Sequence, residues 1–246
     1  MPGLIRIGIG GWTFEPWRGV FYPAGLAHRR ELEFASRAVT SIEINGTYYS
    51  SFKPDSWRKW RDETPDDFVF AVKASRFCTN RKVLGEAGES IERFVSQGLT
   101  ELGNKLGPIN WQFMATKKFE PEDFAAFLAL LPKERDGILL RHAVEVRHPS
   151  FATEAFYDLA RRHDVAIVYA RDEDFPEIDE ATAGFTYARL MTSSEDHETG
   201  VSEQETRAIA KQVKSWAKRG DVFAFFIAGA KVRNPAAAQA LIKKLK

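Results

Sequence analysis

The chain has 246 residues, 44% of them hydrophobic and 28% charged, enough apolar material for one sizeable core and too much for a compositionally disordered chain. Its 35 Lys and Arg against 34 Asp and Glu leave a formal net charge of +1, so no global field draws it to nucleic acid or an anionic membrane. A single cysteine, Cys78, excludes an internal disulfide and a cysteine-built zinc cage, and fits a reducing compartment.

The chain opens with Met1-Pro2-Gly3-Leu4 and lacks the basic region and long apolar stretch of a signal peptide. Nowhere do about 18 consecutive apolar residues occur, which argues against a spanning helix. A soluble, cytosolic protein is expected.

Short segments rich in β-branched or aromatic residues alternate along the chain with polar stretches of helical period. The first strand is predicted at Ile5–Gly10, then a helix at Arg29–Ala38, a strand at Ser41–Asn45 and a helix at Asp55–Asp62. Strand Phe68–Ala74, helix Ser90–Asn104, strand Pro108–Phe113 and helix Pro121–Leu130 follow. Next come strand His142–Arg147, helix Thr153–His163 and strand Val165–Ala170. The crossover Glu173–Gly184 contains Pro176 and is too short for a firm helix, so a turn or irregular loop is expected there. Strand Phe185–Leu190, helix Ser202–Arg219, strand Val222–Ile227 and helix Pro235–Leu245 complete the chain.

Thr153 and Ser202 stand where N-caps belong. Lys211, Lys214, Lys218 and Arg219 near the end of the long helix read as a solvated face. Eight strands alternating with helices in one uninterrupted domain, residues 1–246, predict a closed (β/α)8 barrel rather than an open doubly wound sheet.

The period of two sorts each strand into a row facing the helices and a row facing the interior. In Ser41-Ile42-Glu43-Ile44-Asn45 the isoleucines take the helix side, sending Glu43 and Asn45 inward, and Val144 and Val146 likewise send Glu145 and Arg147 inward. Lys73 and Gln112 fall on the inner row, Arg189 shares a face with Tyr187, and Trp12 shares the parity of Gly8 and Gly10, which places its indole at the mouth. Such a set is too charged for packing alone, because a buried unpaired ion costs several kcal/mol. These charges pair with one another or with a ligand.

The chain resembles the YecE-like family, domain of unknown function family 72, over nearly its whole length. The carriers are Gly10-Gly11-Trp12 with Trp17, Gly19 and Phe21-Tyr22-Pro23, then Glu43-Ile44-Asn45 with Thr47, Tyr48 and Tyr49. Thr64-Pro65, Phe68, Phe70, Lys73, Lys105-Leu106-Gly107-Pro108, Gln112, Glu145, Arg147-His148, Tyr187 and Arg189 continue the series. The resemblance implies a barrel of the same kind and names no reaction. This chain departs from it at Leu190-Met191, where many members carry histidine and glycine, and at Ile227-Ala228-Gly229, where many carry asparagines.

Glu43 and Glu145 are candidates for an acid and base pair, one raised by burial and the other held ionised by Lys73 or Arg147. His148, at or beyond a strand end, joins them as a catalytic candidate. Trp12, Asn45, Tyr48, Lys73, Gln112, Arg147, Asp172 and Arg189 are the candidates for binding substrate, with the cations suited to phosphate or carboxylate oxygens. The set points to a hydrolase or lyase acting on an anionic or sugar-containing small molecule.

No cofactor is predicted. A divalent metal on Glu43, Glu145, His148 and Asp172 is the lesser alternative, because no local ligand spacing marks it and the neighbouring cations oppose it. A nucleic-acid reading uses the aromatics Trp12, Phe14, Trp17, Phe21, Tyr22, Tyr48 and Tyr49 for stacking and Arg76, Arg81, Lys82, Lys117 and Lys118 for phosphates. A non-catalytic scaffold is the third reading. Thr192–Gly200 is expected to be a solvated loop rather than a lid, and Gly8-Ile9-Gly10-Gly11 lacks the spacing of a phosphate cradle.

Overall fold

The computed structural model describes residues 2–246. Parallel strands Ile5–Gly10, Ser41–Ile44, Val69–Lys73, Leu106–Gln112 and His142–Glu145 pair in sequence order, and Phe185–Leu190 and Asp221–Phe226 continue the sheet on the far side of the first strand. The sixth strand is split in two: Ala166–Ile167 pairs with the fifth and Tyr169–Arg171 with the seventh. Both free edges of the sheet therefore belong to one chain segment, which closes it into a (β/α)8 barrel.

Side chains sort as strand alternation requires. Ile42, Ile44, Phe70, Val72, Trp111, Val144 and Val146 belong to the large cluster beneath the helices, while Ala71, Ala143, Ala166, Val168, Tyr187, Phe223 and Phe225 form a smaller cluster. The smaller cluster holds the opposite parity and fills the barrel. Along the inner rows apolar residues come first and polar ones last: Val69, Ala71, Lys73 on the third strand, and Phe185, Tyr187, Arg189 on the seventh. At the amino-terminal end Arg141 lies over Phe223 and Phe185, at 4.7 and 5.6 Å, and bonds Asp221 at 3.0 Å.

One irregularity sets the inner row of the fourth strand. Phe70 pairs with Leu106 but Val72 pairs with Ile109, so an extra residue bulges at Gly107-Pro108 and brings Asn110 beside Lys73. A Cβ on Gly107 would sit 2.6 Å from the Phe70 carbonyl oxygen, so glycine permits this approach.

The helices fall close to their expected places, with Thr153 and Ser202 accepting the capping bonds from the Phe156 and Glu205 amides. The expected helix Ser90–Asn104 is the exception. It is an α-helix over Gly88–Val95 and a separate 3-10 segment over Leu99–Lys105, because Gly98 and Gly103 take φ of 108° and 58°. The crossover 173–184 contains no helix, as expected. A short hairpin, Glu134–Arg135 with Ile138–Leu139, turns on Asp136-Gly137; its two-residue strands are too short to show a period. No helix is long and apolar enough to cross a membrane among the described residues.

Candidate functional site

Glu43, Glu145 and Arg189 meet inside the carboxyl end of the barrel, each at most 3% exposed. The guanidinium of Arg189 donates to both Glu145 oxygens at 2.9 and 2.7 Å and to Glu43 Oε1 at 3.3 Å. Tyr187 donates a short bond to Glu43 Oε2, and Asn110 Nδ2 donates to Glu145 Oε2 at 3.1 Å. Two buried carboxylates thus share one planar cation, a geometry a fork-shaped donor suits and an ammonium does not.

Arg147 caps this floor from just beyond the fifth strand. It donates to Glu145 Oε1 through Nε and Nη2, at 2.9 and 2.7 Å, and to Gln112 Oε1 at 3.0 Å. Phe175, from the irregular sixth crossover, covers it with a ring 4.4 Å from the guanidinium carbon. Burial works against the charge on Glu145, but Arg189, Arg147, Lys73 and the Asn110 bond outweigh it and hold the carboxyl at about 2. Burial also raises the Tyr187 phenol, helped by the Glu43 charge, so Tyr187 stays a donor.

Lys73 stands apart from this network. It ends the third strand on the inner row, half-buried, and takes part in no ion pair within 4.0 Å among the described residues. Its ammonium lies 4.5 Å above the Tyr48 ring. Burial, reinforced by the Arg189 charge and partly offset by Glu43 and Glu145, brings its pKa down to about 8. Thr47, whose hydroxyl lies 2.6 Å from the Lys73 carbonyl oxygen and 3.0 Å from that of Ile44, ties the Tyr48 turn to the end of this strand. Tyr48 is fixed at its far end by Asn80, whose Nδ2 donates to the phenol oxygen at 3.2 Å.

Asn45 also points inward, lying over Gly10 beside Ile227; a Cβ on Gly10 would meet Asn45 Nδ2 at 2.9 Å. The eighth strand accordingly contributes an apolar wall through Ile227. Beyond it, Asn234 binds Ser193 Oγ at 2.7 Å and the Ala228 carbonyl at 3.1 Å, joining the loops after the seventh and eighth strands.

Three expected members lie outside this group. Trp12 was expected at the mouth, but Gly11, at φ of 73°, breaks the alternation, and the indole packs on Trp60 and Phe70 of the helix side, at 5.2 and 6.3 Å. His148 Nδ1 accepts from the Ser150 amide at 3.1 Å and lies 2.8 Å from its hydroxyl, capping the turn Pro149–Phe151. Asp172 accepts from the Asp174 amide at 2.9 Å in a local turn. The four residues weighed as a metal set are not gathered, and no cluster of three or more His, Cys, Asp or Glu suited to a metal occurs among the described residues.

Among the rim aromatics, Trp17, Phe21 and Tyr22 pack on one another and on Phe34. Of the cations weighed for phosphates, Lys117 is taken by Asp123 and the Lys82 carbonyl, each at 2.8 Å, and Arg81 bonds the Glu86 carbonyl. Thr192–Gly200 is a loop closed on itself by bonds from Ser194 to Gly200 and from Gly200 to His197. An open basic groove of about 440 Å³, lined by Lys211, Lys214, Lys218, Arg207 and Lys244, lies on the outer helix layer and includes none of the inner residues. Asn110 and Phe175 are the site neighbours absent from the sequence expectations, whereas Tyr187 was expected on the face of Arg189 without a site role; for Asn110 the parity of Gln112 carried the signal.

A family described as "Protein of unknown function DUF72" matches residues 6–246 of the chain. UPF0759 protein YecE of Escherichia coli K12 is 30% identical over 151 residues, 60% of this chain and 50% of YecE, so the match spans about half the length of that relative. A DUF72 family protein of Thermotoga maritima MSB8 superposes with a TM-score of 0.78 at 24% identity, covering 98% of each chain. A second, from Enterococcus faecalis V583, gives 0.75 at 16% identity, covering 98% of this chain and 95% of that one. At these identities the structural likeness speaks for the fold alone.

Proposed function

From the premise that this chain belongs to the DUF72 family, we propose that its barrel mouth binds a small anionic molecule and performs lyase-type chemistry on it, with Lys73 as the working base. The observation that carries this reading is the inner charge balance: two carboxylates, both bonded by Arg189, against three cations, of which Lys73 is bonded to neither. A carboxyl held at about 2 is a poor proton donor near neutral pH, which favours elimination or addition at an amine over a hydrolysis that needs a protonated acid. An amine near 8 is matched to proton transfer under those conditions.

In this reading Arg147 and Lys73 hold the anionic group at the rim, and Tyr48, Asn45 and Ile227 form the walls. Arg189, Glu43 and Glu145 make the rigid floor. Sugar phosphates and small carboxylates are the expected classes. Titrating phosphate and citrate against thermal unfolding is the first test: a rise in melting temperature that Lys73→Met and Arg147→Met each reduce supports the site, and a rise unaffected by both rejects it. A panel of sugar phosphates and hydroxy acids then tests for turnover.

A second reading is favoured by one observation. Arg76 lies against Tyr49 at 5.9 Å and Phe77 at 5.4 Å, and the two rings are 65% and 63% exposed on the rim. Such a platform suits stacking of bases from a single strand. Fluorescence anisotropy with a single-stranded oligonucleotide at low and high salt decides it: salt-sensitive binding lost in Tyr49→Ala and Phe77→Ala supports the platform, and no binding removes it. The setting proposed is the cytosol, where the buried Cys78, its thiol pushed up by burial to about 12, stays inert.

A further inference from the structure

Lys73 has the surroundings of a nucleophile as well as those of a base, and this step rests on the mouth being a small-molecule site. Its side chain rises from a strand end, where the backbone is fixed by the sheet and by Thr47. The nearby carboxylates that would otherwise neutralise it are turned toward Arg189, Arg147, Tyr187 and Asn110. Its register partner Asn110 is fully buried, and Asn110 Oδ1, like Arg189 Nε, has no hydrogen-bond partner. Lys73 itself ends the strand and is only partly buried. One face of its amine is covered by the Tyr48 ring, 4.5 Å away, which favours an uncharged amine less than open hydrocarbon would.

We propose that Lys73 Nζ forms an imine with a small aldehyde or ketone that also carries a carboxylate or phosphate, the anionic group being held by Arg147. The neutral amine adds to the carbonyl carbon, forming the C–N bond, and a proton passes from nitrogen to the former carbonyl oxygen. A second proton, taken from solvent, turns that oxygen into water, whose loss breaks the C–O bond and leaves a C=N bond that keeps the remaining N–H and carries the positive charge, with no oxidant or reductant consumed. The protonated imine then serves as the electron sink that a lyase needs, withdrawing the pair from a breaking bond next to the carbonyl carbon. A carboxylate held at about 2 stays charged beside it and stabilises the cation.

Reductive trapping tests this on the full chain. Glyoxylate with sodium cyanoborohydride converts an imine into a carboxymethyl group on the amine, which peptide mass spectrometry locates. Lys73 is expected to react at least about tenfold faster than the exposed Lys211, Lys214 and Lys218, since a lowered amine pKa raises the neutral fraction. Arg147→Met is expected to slow trapping by glyoxylate while sparing trapping by neutral glycolaldehyde. Equal reactivity of Lys73 and the three surface lysines overturns the inference. If phosphate still raises the melting temperature in that case, the imine falls and the anion site stands. Preferential trapping at Lys73 without any stabilisation by phosphate or citrate, and with Arg147→Met inert, leaves the amine reactive but refutes the anion-bearing substrate.

Discussion

Arg189 and Lys73 project from strand ends into the same barrel, yet Arg189 bonds both inner carboxylates and Lys73 bonds neither. The difference lies in donor shape. A planar fork spans two acids on opposite strands and can remain charged at full burial, whereas an ammonium offers one compact charge that burial drives toward neutrality. Arg189 is accordingly raised above its ordinary value by Glu145 and Glu43 against the cost of burial, and Lys73 is lowered. The charges of the floor are thus paired, and the rim retains a surplus of one cation.

The largest test of that contrast is Arg189→Met. It removes the cation shared by two buried carboxylates and leaves Glu43 with the Tyr187 phenol alone, and the loss expected is about 3–5 kcal/mol of stability, read as the shift of a denaturation midpoint. A loss below about 1 kcal/mol would mean the carboxylates are solvated and the floor is open. If the variant does not fold, Glu145→Gln provides the gentler measurement, because Asn110, Arg147 and Arg189 can still donate to an amide oxygen.

The pH dependence separates the two regions next. Glu145 is depressed from 4.5 to about 2, so its contribution is present above 4.5 and is lost as pH falls from there through 2. Lys73 is depressed from 10.5 to about 8, so between these values the unfolded chain binds more protons and stability rises with pH. Chemical denaturation across both windows is expected to show an acid limb abolished in Glu145→Gln and an alkaline rise abolished in Lys73→Met. At neutral pH Lys73→Met is expected to hold or raise stability, within about 1 kcal/mol, since it removes a desolvated charge without stranding another. A large loss there would assign Lys73 to the floor.

How much of this was legible follows from the same distinction. Alternation alone gave the barrel, and strand parity alone put Glu43, Glu145, Lys73, Gln112 and Arg147 inside, because a period of two survives wherever the strand stays regular. It failed for Trp12 because a left-handed Gly11 resets the alternation, and it broke the predicted helix Ser90–Asn104 at two glycines with positive φ. The partition of charges was legible only for Arg147, which was expected to hold a carboxylate ionised and does bond Glu145. Whether Arg189 or Lys73 takes the carboxylates depends on reach across the barrel, which no spacing encodes. His148 looked free because its partner, Ser150, lies in a turn that only the folded chain defines.

Phe175 is the residue for which sequence gave least, since the crossover that carries it has no period. Its ring lies on the face of Arg147 and is the only aromatic covering that guanidinium among the described residues. Removing it in Phe175→Ala is expected to cost about 0.5–1 kcal/mol from the cation–π contact. The bonds from Arg147 to Glu145 and Gln112 remain, so the floor is left intact. The guanidinium then gains water on one side, and anion affinity at the rim is expected to fall a few-fold because the charge acts through a higher local dielectric. Phosphate titration of this variant therefore measures the rim alone. Unchanged affinity would mean that Arg147 serves Glu145 only, which would move it from the rim to the floor and leave Lys73 as the single cation available to a ligand.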